Sequence, residues 1–560
     1  MKFGDRRALN STVKRRSDLS TVILHWAAVL ALGVALLSGL RISTDSPDAS
    51  WSLLLDAVLL HGAVSQWHVW AGYGLTAVIL GYGVYLLRAG LGSRIIFDRY
   101  RRQALKSPDG ATRWQARNVA IFWVGFTIIL LLAISGSISY WGAGLLPAAF
   151  LGATHRVLSW ALILYVVIHI GGQIAYGGIR QLTKIMMPRL AYGVAGATAF
   201  VVVAAVAGGV YWIDHIALRT LTLPKVASAP VLDGKFDDEV WKSAKAIVIP
   251  TARAHTVEGG EIDVTVKAIH DGTTAYFAFE WPDTERSMKL FPMVKTETGW
   301  TIKQTEADRG DESEFYEDQF AVMLSRASEV AGGSAHYGSK VLSDKKSTHG
   351  RGMHYMTDGS IVDLWQWKAA RTGNRVVSQM DDGYIGAPLE KPAGDERYRG
   401  GFNMDPDTGG GYVQNFDRKD PAARLADGVV PRRLPKDWQL VRAAIAGDGI
   451  DHSSADRADW WLLYEETVPY TAEMDANIPV GTVLPSVLVR GPFQGDRGHI
   501  AAEAVWSDGV WRLEVKRALD TGSQYDLPIA KDMYFWVSAF QHAQTRHSYH
   551  TRPVRLELGE

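Results

Sequence analysis

The 560-residue chain contains no cysteine. That absence excludes disulfides, iron–sulfur clusters, cysteine-bound zinc and thioether-linked haem. Its 59 basic and 59 acidic residues cancel, and a chain with no net positive charge argues against nucleic acid as a partner. There is no Ser/His/Asp grouping, glycine-rich phosphate loop or paired carboxylate that demands a hydrolase, and no internal repeat. What is present divides into two unlike halves. Residues 1–215 carry long apolar runs, whereas residues 225–560 are polar and rich in glycine and tryptophan.

Five runs of about 20 mostly apolar residues, the length needed to cross a bilayer, lie near 20–40, 66–88, 118–140, 154–177 and 191–213. No small-residue cleavage site precedes or follows the first run, so it is expected to remain as an anchor. Basic residues set the orientation. Lys2, Arg6, Arg7, Lys14, Arg15 and Arg16 precede the first span, eight more lie between residues 88 and 117, and Arg180, Lys184 and Arg189 follow the fourth. The alternate loops hold only Arg41. The N-terminus is therefore expected in the cytoplasm. Everything after Asp214 is expected outside, in the periplasm if the chain lies in a bacterial inner membrane. The segment 51–60 reads as a short helix on the outer surface.

An ionisable residue inside a span is costly to bury and so is a functional candidate. The fourth span carries two histidines, His155 and His169, at an i, i+14 spacing. That is nearly four turns, placing both on one helix face at about 21 Å separation. The orientation gives each histidine a depth. His68, opening the second span, and His155 share the outer level; His25, early in the first span, and His169 share the inner level. Two His/His pairs on facing helices at two depths are what two six-coordinate b-type haems require. Gly39, Gly72, Gly74 and Gly136 would admit a macrocycle, and Arg41 and Arg156, at the outer level, could meet haem propionates. Zinc is a weaker fit, since no carboxylate accompanies either pair. His61 has no partner at its level, and Arg156 could equally anchor its span in the headgroups.

With His25-Trp26, His68, and His155 and His169 in place, the stretch 1–215 resembles the di-haem cytochrome b subunits of membrane-bound formate dehydrogenases and nickel–iron hydrogenases. The resemblance implies two haems that join a periplasmic redox partner to the quinone pool, with the quinone site beside the inner haem. It assigns no quinone contact residue by residue.

A linker, 216–230, leads to a half in which strands dominate. Residues 264–270 and 275–281 flank Asp271-Gly272, and 502–506 and 510–515 flank Asp508-Gly509; an Asp-Gly between alternating apolar runs is a strong hairpin signal. Residues 320–324 and 534–540 read as further strands. Many short strands without helical periodicity predict an all-β sandwich over 231–560. Residues 391–437, rich in Gly, Pro and Asp, read as a long loop. The acidic run 311–318 lacks the glycine-punctuated spacing of a calcium loop and reads as a solvated turn.

This half resembles the haem-binding domain family of ethylbenzene dehydrogenase gamma subunits. The motifs are Leu232-Asp233-Gly234 with Trp241, the run Val362-Asp363-Leu364-Trp365-Gln366-Trp367-Lys368-Ala369, and Arg546-His547-Ser548. Fold alone does not give a haem, because carbohydrate-binding modules share it. The resemblance implies a haem held by a Met and a Lys. Met356 stands at the Met position and His547 where the Lys falls, with Met353, His354 and His336 as the nearest substitutes. Relatives often attach haem through a Cys-x-x-Cys-His motif, and here Gly332-Gly333-Ser334-Ala335-His336 carries no cysteine. Met356 also fits a core role, and Trp365 and Trp367 fit a sandwich core as well as a haem pocket.

The chain thus reads as a helical membrane bundle of five spans, four of them binding haem, followed by a periplasmic sandwich. Its expected role is electron transfer between quinone and a periplasmic redox protein such as a cytochrome c or an oxidoreductase subunit. Two readings of the outer half stay open: a module holding a third haem, or a ligand-binding or docking module on a cytochrome anchor. A non-redox transporter would hold no haem at all.

Overall fold

The computed structural model describes residues 18–43, 58–60, 64–142, 144–179, 182, 193–309, 312–328, 355–356, 359–387, 401–420, 424–445 and 458–559. The basic arm 2–16, residues 51–57 of the expected surface helix, His61, His336, Met353 and His354 lie outside the described residues. The chain forms two compact units, one made of residues 1–42, 64–146 and 150–217, the other chiefly of 218–560.

Among the described residues, the first unit holds five helices long and apolar enough to cross a membrane: α1 Leu19–Ser43, α2 Val64–Arg88, α3 Gly110–Trp141, α4 Ala148–Gly177 and α5 Gly193–His215. Each matches an expected run, extended at most by about two turns. Leu30, Leu164, Val167 and Val201 point outward from them, as expected of helices whose outer faces meet lipid. Asp18 starts α1. Its carboxylate accepts from the Thr21 amide at 2.8 Å, from the Tyr85 hydroxyl at 2.5 Å and from Arg94 at 2.9 Å. This buried knot ties the start of α1 to the end of α2. Gly81 of α2 packs against Ala199 and Val203 of α5, where any side chain would collide with Val203.

The second unit is β-rich. Strands β1 Arg219–Leu223, β2 Ile247–Thr251, β3 Ile262–His270, β4 Thr274–Pro282, β5 Gln319–Ser325, β6 Val362–Lys368, β7 Asp381–Ile385, β8 Phe402–Met404, β9 Ile500–Ser507, β10 Val510–Ala518, β11 Met533–Phe540 and β12 Val554–Leu558 build two principal sheets. One runs β1-β12-β11-β5-β6-β7-β8 and the other β9-β10-β4-β3-β2. Their inner faces meet through aromatic side chains. Trp281 stacks on Phe320 at 4.5 Å, Trp367 meets Trp511 at 4.8 Å, and Phe277 meets Trp365 edge-on at 5.8 Å. Trp365 and Trp367 are therefore core residues of the sandwich.

Both Asp-Gly hairpins form. At the second, Asp508 and Gly509 have φ of 52° and 75°, the paired positive values that a two-residue turn needs to match the twist of its strands. Three expectations are corrected. Residues 219–223 of the expected linker are β1, pairing parallel with β12. The expected loop 391–437 contains β8 and the strands Asp407–Gln414, Phe416–Arg418, Val429–Pro431 and Arg433–Pro435; its glycines pack at tight bends, and a Cβ on Gly410 would strike the Pro492 carbonyl. Of the acidic run, Glu312, Glu317 and Asp318 are buried rather than solvated, while Glu314 is exposed. Glu312 accepts from the amides of Thr305, Glu314 and Phe315, and Asp318 from those of Ser287 and His542 and from Trp511 Nε1.

Candidate functional site

The outer histidines come together between α2 and α4. The rings of His68 and His155 lie 6.1 Å apart, centre to centre, at 71° to each other. A metal–imidazole bond of about 2.0 Å puts facing nitrogens about 4 Å apart and ring centres about 6 Å apart, so the spacing suits one ion between them.

Their hydrogen bonds set the tautomer. His68 Nδ1 lies 3.0 Å from the Ala35 carbonyl and 3.1 Å from Ser38 Oγ. A carbonyl can only accept, so Nδ1 carries the proton and Nε2 of the neutral ring carries the lone pair. Ser38 donates its own proton to the Val34 carbonyl at 2.6 Å. His155 repeats the arrangement: its Nδ1 lies 2.9 Å from Ser135 Oγ, and Ser135 donates to the Leu132 carbonyl at 3.2 Å. Metal-bound imidazoles are held in this way through their other nitrogen.

The residue after each serine is a glycine that makes room for the ring. A Cβ on Gly39 would lie 3.1 Å from His68 Cε1, and one on Gly136 would lie 3.3 Å from His155 Cε1. These two glycines therefore seat imidazoles, where the sequence had suggested room for a macrocycle. Gly72 and Gly74 do face open space, with nothing within 4 Å of a Cβ position.

At the inner level, His25 on α1 and His169 on α4 are both half-buried and lie within electrostatic reach of each other. His169 Nδ1 is buried with no hydrogen-bond partner among the described residues. Such an orphaned buried nitrogen needs an explanation, and an absent ligand is one. His169 stacks on Tyr165 at 5.7 Å. Tyr165 in turn fills the notch left by Gly125, where a Cβ would lie 2.2 Å from its ring. Gly125 and Gly136 stand at an i, i+11 spacing on α3, three turns, and so serve the two levels from one helix face.

The donor sets fit two haem irons: neutral imidazoles, paired by level, without carboxylates. Of the arginines, Arg41 is buried near the outer level and Arg156 is exposed beside His155. Sequence reading missed Ser38, Ser135, Gly125 and Tyr165. The signal for the serines was the Ser-Gly dipeptide occurring in both α1 and α3.

In the second unit, Met356 is buried against Val362 and Ile385, with Met323 and Leu364 beside them. His547 packs on Phe540 at 4.6 Å. Phe540 pairs with Gln319, at the far end of β5 from Met323. Four residues of strand at about 3.3 Å each separate those rows by about 13 Å. Met356 and His547 thus stand against different rows of one sheet, a spacing set by strand register and invisible in the motifs.

The family model for ethylbenzene dehydrogenase matches residues 238–552, more than half of the chain. The chain belongs to the ethylbenzene dehydrogenase family. A second family model, prokaryotic cytochrome b561, matches residues 16–189. The helical half is accordingly a membrane b-type cytochrome domain of electron transfer, of a family that binds b-type haems. No curated protein matches the chain. Two solved structures of a family 9 carbohydrate binding module from Caldicellulosiruptor kristjanssonii, in complex with cellotriose and with glucose, align at 10% identity. They cover 61% and 60% of this chain and 95% and 96% of their own, with TM-scores of 0.20 and 0.21.

The motifs of the ethylbenzene dehydrogenase family half do structural work here. The amides of Asp233 and Gly234 donate to Glu514 Oε2 at 2.8 Å, and Trp241 Nε1 donates to Glu514 Oε1 at 2.8 Å. The N-terminal motif is thus a clasp on one carboxylate of β10. Burial pushes the Glu514 carboxyl up from its ordinary range. Ser548 of the C-terminal motif is buried, accepting from Thr251 Oγ1 at 2.8 Å and from the Ala539 amide at 3.1 Å.

Proposed function

We propose that His68 and His155 hold one b-type haem and that His25 and His169 hold a second. Arg41 answers the propionates of the outer haem, and Arg156 anchors α4 in the headgroups. The haems supply one-electron redox steps; the chain orients them and excludes water from the span between. On this reading the protein carries electrons between the quinone pool, at the inner level, and a periplasmic redox protein. It lies in a bacterial inner membrane with its N-terminus in the cytoplasm and its β-rich half in the periplasm, as the basic loops predict. The observation that carries the reading is the 6.1 Å separation of the His68 and His155 rings, with the Nδ1 of each ring held by a serine hydroxyl.

The packing of Met356 into an apolar cluster with Val362 and Ile385 supports a second reading of the outer half: a docking module without a haem of its own. A pyridine haemochrome assay on the purified full chain distinguishes the cases. Two haems per chain are expected, and three would restore an outer haem. His68→Ala and His155→Ala should each remove the same one of the two, and His25→Ala and His169→Ala the other. Unchanged haem content in all four variants would overturn the assignment. A short-chain quinol should reduce the wild-type chain and fail on the inner-level variants.

A further inference from the structure

At one end of the sandwich, four aspartates from separate segments meet: Asp363 on β6, Asp382 on β7, Asp405 just after β8, and Asp526 between β10 and β11. All four are buried. One guanidinium, fully buried Arg517 on β10, serves them, bonding Asp363 at 2.9 Å and approaching Asp526 at 3.4 Å. Asp363 is satisfied, since it also accepts from the Leu527 amide at 2.9 Å and from Trp365 Nε1 at 2.7 Å. The other three are satisfied at most in part: Asp526 Oδ2 accepts from Thr521 Oγ1, and Asp382 Oδ1 from the Gly383 amide. Asp382 Oδ2, Asp526 Oδ1 and both oxygens of Asp405 are buried without a hydrogen-bond partner. Buried charge without a counter-charge is strongly disfavoured, and one arginine leaves three carboxylates over.

His499, just ahead of β9, closes the group. Its Nδ1 lies 3.1 Å from Asp526 Oδ2, and its side chain is 28% exposed, which leaves a path to solvent. One ligand atom each from Asp382, His499 and Asp526 lies within 4.8 Å of the others, a spacing that one ion between them would occupy. Asp405 adjoins them: its amide donates to the Asp382 carbonyl at 3.1 Å, and its carboxyl meets that of Asp526.

We propose that the β-rich half binds one divalent cation through Asp382, Asp526 and His499, with the orphaned carboxylate of Asp405 completing the set. The imidazole in a mixed carboxylate–imidazole donor set favours transition-series ions, zinc first and then manganese, over calcium or magnesium. The site ties β7 and the end of β8 in one sheet to the start of β9 in the other and to the loop after β10, so the ion staples the edge of the sandwich. It is independent of the haem reading.

The test uses the full chain in detergent. Non-haem metal is counted by mass spectrometry, and the chelator-treated protein is titrated with Zn²⁺, Mn²⁺ and Ca²⁺ separately. One equivalent of Zn²⁺ or Mn²⁺ is expected, bound at least tenfold more tightly than Ca²⁺ and raising the melting temperature. Asp382→Asn and Asp526→Asn should each weaken binding tenfold or more. Asp405→Asn removes an orphaned charge, so it should raise the melting temperature of the metal-free protein while lowering its affinity for metal. That variant keeps the proposal open to refutation if the others fail to fold. Absence of binding by all three ions, or stoichiometric binding unchanged by Asp405→Asn, would overturn it.

Discussion

The hydroxyl of Ser135 meets Nδ1 of His155 at 2.9 Å, as the hydroxyl of Ser38 meets Nδ1 of His68 at 3.1 Å. The two contacts are equivalent in chemistry and unequal in redundancy. His68 Nδ1 also has the Ala35 carbonyl at 3.0 Å. Ser38→Ala should therefore leave the outer haem nearly unchanged. Ser135→Ala should shift its midpoint potential and reduced α-band, since hydrogen bonds to a ligand's other nitrogen tune its basicity. A redox titration of both variants checks this. Equal shifts would mean the carbonyl does not back up the serine.

Gly125 acts on the inner level only. Gly125→Ala places a methyl 2.2 Å from the Tyr165 ring, forcing that ring toward or away from His169, on which it stacks. Overpacking of this kind typically costs about 1–3 kcal/mol. The expected outcome is a perturbed or lost inner haem with an intact outer one, read by low-temperature difference spectra that resolve the two.

Glu514 holds two buried donors and one part-buried donor, so its loss should be severe. Glu514→Ala leaves the amides of Asp233 and Gly234 and the Trp241 indole unpaired. At about 1–3 kcal/mol for each buried orphan, a loss of about 3 kcal/mol or more is expected in urea unfolding of the full chain. Gly234 has a φ of +74°, and a Cβ there would lie 3.0 Å from the Val505 backbone. Gly234→Ala should therefore destabilise too, by about 1–3 kcal/mol.

His550 predicts acid sensitivity. Its Nε2 accepts from the Val537 amide at 2.9 Å and its Nδ1 donates to the Arg552 carbonyl at 2.6 Å. Burial depresses its pKa from 6.5 to about 4. The folded state thus binds fewer protons than the unfolded chain between those values. Stability from this group is present above about pH 6.5 and is lost as pH falls toward 4, by about 3 kcal/mol at about 1.4 kcal/mol per unit. Melting temperatures from pH 4 to 7 should show that slope, and His550→Gln should flatten it even if it lowers stability throughout.

The sequence alone carried those features whose cause is local. Apolar runs long enough to span a bilayer, histidines at an i, i+14 spacing on one helix face, and Asp-Gly turns between alternating strands depend only on chain period and spacing, and the helices and hairpins stand where they were expected. The acidic run 311–318 misled because composition reports charge and not burial: Asp318 is turned inward to collect backbone amides from distant segments.

What tertiary structure decided was which distant residues share a place. The seating of His68 on Ser38-Gly39 and of His155 on Ser135-Gly136 depends on how α1 and α3 lie beside α2 and α4. Met356 is set against Val362 and Ile385, and His547 against Phe540, by strand pairing that neither sequence stretch contains. The four aspartates meet only because strand pairing sets Asp382 beside Asp405 and the β10–β11 loop brings Asp526. A one-dimensional pattern sets what each helix or strand presents on its faces. Depth, register and packing are sums over many weak non-local contacts, and no single stretch of sequence contains them.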